Sequence, residues 1–144
     1  MDNQTLNKEH VTWVIDLLPR RVPADGAGQF FAVESHLLQG GHLEQLAHKF
    51  ANILLKLNCY YDLMVNCGDD EMLNPAPEQL EQLVWQCVTG NDLPAFMHIA
   101  VTQAPTTITV ARGDINMTLN QPTDDMLQLV TQLAHAEGLF VWPA

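Results

Sequence analysis

Basic residues are scarce in this 144-residue chain: six Lys and Arg stand against seventeen Asp and Glu, for a net charge of −11. No Lys or Arg lies between Lys56 and Arg112, a stretch that holds Asp62, Asp69, Asp70, Glu71, Glu78, Glu81 and Asp92. Binding to phosphate depends on Lys and Arg, so nucleic acids and anionic membranes are excluded as partners. A basic protein is the kind of partner such a surface would meet, and plain solubility is the alternative use of the charge.

Other absences narrow the class further. Only three cysteines occur, Cys59, Cys67 and Cys87, and no two form a Cys-x-x-Cys pair. An odd, sparse set reads as reduced thiols of a cytosolic protein. The first residues lack a basic region followed by an apolar run, so no signal peptide is expected. No stretch approaches the roughly 18 apolar residues needed to span a bilayer. A cytoplasmic location follows as the expectation. Repeats, low-complexity tracts and long linkers are missing too, and residues 1–144 read as a single globular domain.

What is present is an ordinary globular composition, 47% apolar. Size scaling has roughly two-thirds of the extended chain's surface buried on folding, enough for a core without metal or disulfide staples. Residues 11–18, Val-Thr-Trp-Val-Ile-Asp-Leu-Leu, fit a helix face through Val11, Val14, Ile15 and Leu18, and a strand face through Val11, Trp13, Ile15 and Leu17. Their β-branched and aromatic content favours strand. Gln29–Leu38 reads as a second strand, with Phe31, Val33 and Leu37 on one face. His42–Leu57 carries Leu43, Leu46, Ala47, Phe50, Leu54 and Leu57 at helical spacing. Cys59–Val65 follows as a strand. Asn74 is placed to cap a helix that contains Leu80, Leu83, Val84, Cys87 and Val88, with Gly90 in the left-handed position after its end. Residues 95–102, 106–112 and 115–120 read as a three-strand meander, 123–137 as a helix capped by Thr123, and 139–142 as a last short strand. Helices and strands do not alternate strictly. The expected fold is therefore α+β, a largely antiparallel sheet with about three helices packed on one face.

Catalytic signatures are wanting. The six histidines include no pair at metal-ligand spacing on a helix, and the run Asp69-Asp70-Glu71 lacks the alternate spacing and the glycine of a calcium loop. No metal and no cofactor are expected. The lone serine, Ser35, would point away from His36 on a strand, so the two do not make a nucleophile and base. Glu34 and His36 would share a face there. His98 opposes the apolar phase of its strand, and Asp62 is expected beside Tyr60 and Met64. Arg112-Gly113-Asp114 reads as hairpin turn chemistry.

The residue set that remains as candidate binding groups is Asp69, Asp70, Glu71, Glu34 and His36. The favoured reading is a small acidic cytosolic binding or regulatory protein, without catalysis, that acts through protein–protein contact in the manner of toxin-neutralising proteins or adaptors. The alternative is a small enzyme or ligand-binding domain with a pocket at the sheet edge, built from Glu34, His36, Asp62 and His98. Trp13, Trp85 and Trp142 have no assigned core position, and an exposed Trp85 would suit a homo-oligomer.

Overall fold

A computed structural model describes residues 11–25, 28–90 and 95–144. Asp92, expected in the acidic surface, and the Gly26-Ala27 pair, expected in a loop, lie outside the described residues. The described chain runs β1 (Thr12–Asp16), α1 (Phe30–Leu37), α2 (Gly40–Leu57), β2 (Leu63–Cys67), β3 (Asp70–Leu73), α3 (Pro77–Thr89), β4 (Phe96–Val101), β5 (Thr107–Ala111), β6 (Asn116–Asn120), α4 (Asp124–Ala136) and β7 (Phe140–Pro143). These strands form one sheet in the order β3-β2-β4-β5-β6-β1-β7. Every pairing is antiparallel. The α+β class is thus as the sequence implies.

Alternation along the strands decides where the core sits. Leu63, Val65, Met97, Ile99, Ile108, Val110, Met117, Leu119 and Ile15 are fully buried. Register places them on one face: Val65 opposes Ile99, Ile99 opposes Ile108, Ile108 opposes Leu119, and Met117 opposes Ile15. Against that face pack α2, α3 and α4, through Phe50, Ile53, Leu54, Leu80, Val84, Met126 and Val130. The opposite face is polar. One row across it reads Asn66, His98, Thr109, Thr118, Val14, Trp142.

Several elements differ from the sequence reading. Gln29–Leu38 is not a strand: residues 30–37 form α1, with the Val33 amide donating to Gln29 O at 3.0 Å. Phe30 and Leu37, two helical turns apart, pack on the core, whereas Phe31 is 79% exposed. The alternate spacing of Phe31 and Val33 imitates a strand face that nothing covers. The strand expected at 59–65 begins later, at Leu63, because the amides of residues 58–61 are spent on the carbonyls of Leu54, Lys56 and Leu57 at the end of α2. The acidic run is not a free loop. Asp70 and Glu71 belong to edge strand β3.

Asn74 does not cap α3, whose N-cap is Ala76. Its φ of 47° turns the side chain back, where Oδ1 accepts from the Leu63 amide and Nδ2 donates to Asp62. Gly90 is extended rather than left-handed (φ −84°, ψ 169°). Glycine serves there because a Cβ would stand 2.4 Å from Gln86 O. Gly138, at φ 77°, ends α4, with the Leu139 amide reaching Ala134 O and the Gly138 amide His135 O. Thr123 caps the same helix by accepting from the Met126 amide.

Candidate functional site

Asp16 is the residue out of keeping with its surroundings. It ends β1 and, next to Ile15, projects from the polar face, opposite Asn116 on one side and Phe140 on the other. That face is wet over most of its area, yet Asp16 is only 4% exposed. The cause is local. The strand ends at Asp16, and Leu18 with residues 21–24 then lies over this corner of the sheet, with Gly28 and the start of α1 beside them. The Trp142 indole fixes the turn by donating to Leu18 O at 3.0 Å.

The covered corner is a pocket of about 380 Å³. Asp16, Asn116 and Trp142 of the sheet line it, with Phe30 and Phe31 of α1 and Arg21 of the loop. Its size falls in the range of small-molecule sites, and its makeup is the usual one of apolar walls with a few polar groups. Phe30 and Phe31 meet edge to face, with centroids 5.5 Å apart.

Oδ1 of Asp16 has no hydrogen-bond partner, and no other buried side-chain oxygen or nitrogen among the described residues shares that condition. Burial pushes the Asp16 pKa above the ordinary 3.8, backbone amides of Leu18 and Leu17 pull against the shift, and the Glu34 carboxylate adds to it. No ion pair within 4 Å joins Arg21 to Asp16. A carboxyl so placed costs stability, since a buried polar group without a partner loses its hydration with nothing in return.

The residues singled out from sequence do not converge. Glu34 and His36 lie on α1, two positions apart on a helix, and so on different sides of it rather than on one strand face. Glu34 is near enough to Asp16 to be felt electrostatically. His36 turns to His42, with ring centroids 4.7 Å apart. Asp69, Asp70 and Glu71 are exposed on the β2–β3 hairpin, at the sheet edge opposite the pocket. Asp62 accepts from Asn74 and Gln103, away from the aromatic surroundings expected for it. His98 faces out, 3.2 Å from Thr109 Oγ1.

The remaining reactive groups are quiet. Burial pushes the Cys87 thiol up to about 11, and Cys67 is raised for the same reason. Both stay protonated near neutrality. Among the described residues, no three His, Cys, Asp or Glu side chains gather as a metal site.

A second cleft, of about 500 Å³, lies between α2 and α3. It is bounded by Glu44, His48, Glu81, Gln82 and the 43% exposed Trp85, with His48 Nδ1 3.9 Å from Glu81.

Sequence reasoning passes over Asp16, although one signal is there to be read. An acid inside the run Val-Ile-Asp-Leu-Leu interrupts a buried strand, and acids are almost never buried without a partner. No protein-family model matches the chain, and neither a curated protein nor a solved structure is significantly similar to it.

Proposed function

We propose that this chain is a small-molecule-binding domain whose site is the pocket at the β1–β6–β7 corner. The observation that carries the reading is the unpartnered Asp16 Oδ1 in an aromatic-walled pocket. Folding without a ligand gains nothing from that oxygen, whereas a ligand with a hydrogen-bond donor at the Asp16 carboxyl would offset the cost. Unfavourable groups of this kind concentrate at functional sites.

A fragment screen followed by protein NMR tests the proposal. Binders should move the Trp142 indole and the Phe30 ring together and should raise the melting temperature in proportion to occupancy. A broad screen in which no fragment perturbs those resonances refutes it.

One feature favours a second reading, contact with a basic protein. Trp85 stands exposed between Glu44 and Glu81, an aromatic face flanked by carboxylates that suits a Lys or Arg side chain. Calorimetry with decalysine would show binding that weakens as ionic strength passes about 0.15 M and that is lost in Trp85→Ala. Salt-independent binding, or none, disposes of it. The homo-oligomer reading uses the same tryptophan, and a monomeric mass in solution removes it.

A further inference from the structure

If the pocket is the small-molecule site proposed for it, the charges around it narrow what it would hold. The Asp16 carboxyl lines the cavity, and the Glu34 carboxylate, outside the lining, acts on Asp16. The cation in its lining among the described residues, Arg21, is exposed and makes no ion pair with Asp16. Asp16 thus lacks a counter-ion of its own. Asp16 shares the lining with Phe30, Phe31 and Trp142, whose faces attract positive charge and whose area suits a flat apolar body. An anion would meet the Asp16 carboxylate in the covered part of the lining, with the exposed Arg21 the one attraction among the described residues. A neutral ligand would leave the carboxylate without charge compensation in a poorly hydrated place. A monocation answers the Asp16 carboxylate and the aromatic faces together.

From this juxtaposition we infer that the pocket takes an organic monocation, an ammonium or amidinium on a flat apolar skeleton, with the charged nitrogen donating to the Asp16 carboxylate. The nearby Glu34 adds long-range attraction rather than a direct contact. The whole chain, at −11, enriches cations near its surface in the same sense.

The test is a charge series on one skeleton: tryptamine, tryptophol and indole-3-acetate, titrated into the full chain by calorimetry. Tryptamine should bind at least about tenfold more tightly than tryptophol, and indole-3-acetate most weakly, as removal of one charge-assisted hydrogen bond predicts. In Asp16→Asn the preference for tryptamine over tryptophol should vanish. Glu34→Gln should weaken tryptamine about twofold to threefold, in keeping with a screened, indirect charge. Should Asp16→Asn fold poorly, the order of the three probes on the unaltered chain still decides. Tryptophol binding as well as tryptamine overturns the cation inference and leaves the pocket reading standing. A flat series alongside other fragments that move Trp142 does the same. Failure of every fragment at Trp142 and Phe30 removes both.

Discussion

Replacing Asp16 by Asn should make the protein more stable. The side chain keeps its shape and one oxygen to accept from the Leu17 and Leu18 amides, while the unpartnered charged atom becomes a neutral amide. Leaving a buried polar group unsatisfied costs about 1–3 kcal/mol, and more when it is charged. A neutral amide there recovers part of that, so the expected gain at pH 7 is about 1–2 kcal/mol. For a chain of this length the melting temperature should rise by about 3–8 °C.

The pH dependence gives the sharper check. Asp16 holds its proton to higher pH in the folded protein than in the unfolded chain, because burial disfavours the charged form. Between the ordinary value and the raised one the folded state binds more protons, so its stability falls as pH climbs through that window and stays low above it. Asp16→Asn lacks this loss. Its advantage should be absent below the ordinary 3.8 and reach its full size once pH exceeds the raised value. Glu137 works in the opposite sense. Burial raises its pKa, but hydrogen bonds from Asn52 and Lys56, with the charges of Lys56 and His48, prevail and hold it low. Its contribution is present above the ordinary 4.5 and is lost as pH falls through the lowered value. Taking the difference between variant and unaltered chain cancels Glu137. Urea unfolding from about pH 3 to pH 8 supplies the data, a range that brackets the ordinary carboxyl pKa and neutrality. A variant less stable at pH 7, or a difference that does not change with pH, refutes the reasoning.

Gly90→Ala should lose about 1–3 kcal/mol, since its Cβ would sit 2.4 Å from Gln86 O and force the end of α3 to shift; equilibrium denaturation would show it. Thr123→Ala should lose about 1 kcal/mol with the Met126 amide left uncapped, and hydrogen exchange in the first turn of α4 should rise. Thiol reagents at neutral pH should label Cys59 alone. Cys67 and Cys87, buried and protonated, should react only after unfolding, and labelling of three thiols in the native protein would contradict their placement.

Elements that bury a periodic stripe are legible in the sequence. The stripes of α2 and α3, the meander of β4, β5 and β6, and the Thr123 cap all follow from local pattern, because each has one face in the core. α1 escapes such a reading for a related reason. None of its residues is buried, so the pattern that marks a helix is too faint to compete with the alternation of Phe31 and Val33. The commonest roles for Asn74 and Gly90 are in capping, whereas tertiary contact with Leu63 and close approach to Gln86 set their conformations. Beyond the acid inside the run Val-Ile-Asp-Leu-Leu, the candidate site is not legible from sequence. Its walls come from the sheet and from the turn that folds over it, Asp16 and Phe30 being fourteen positions apart and Trp142 at the other end of the chain. Only the register of β1 between β6 and β7 brings them together.

A two-dimensional NMR titration of the full chain with tryptamine tests whether the pocket is the site. Saturable shifts confined to the Trp142 indole, the Phe30 ring and the Asp16 carboxyl are the predicted result. Shifts centred on Trp85, or on Asp70–Leu73, would instead place binding on the acidic helix cleft or the sheet edge and contradict the assignment.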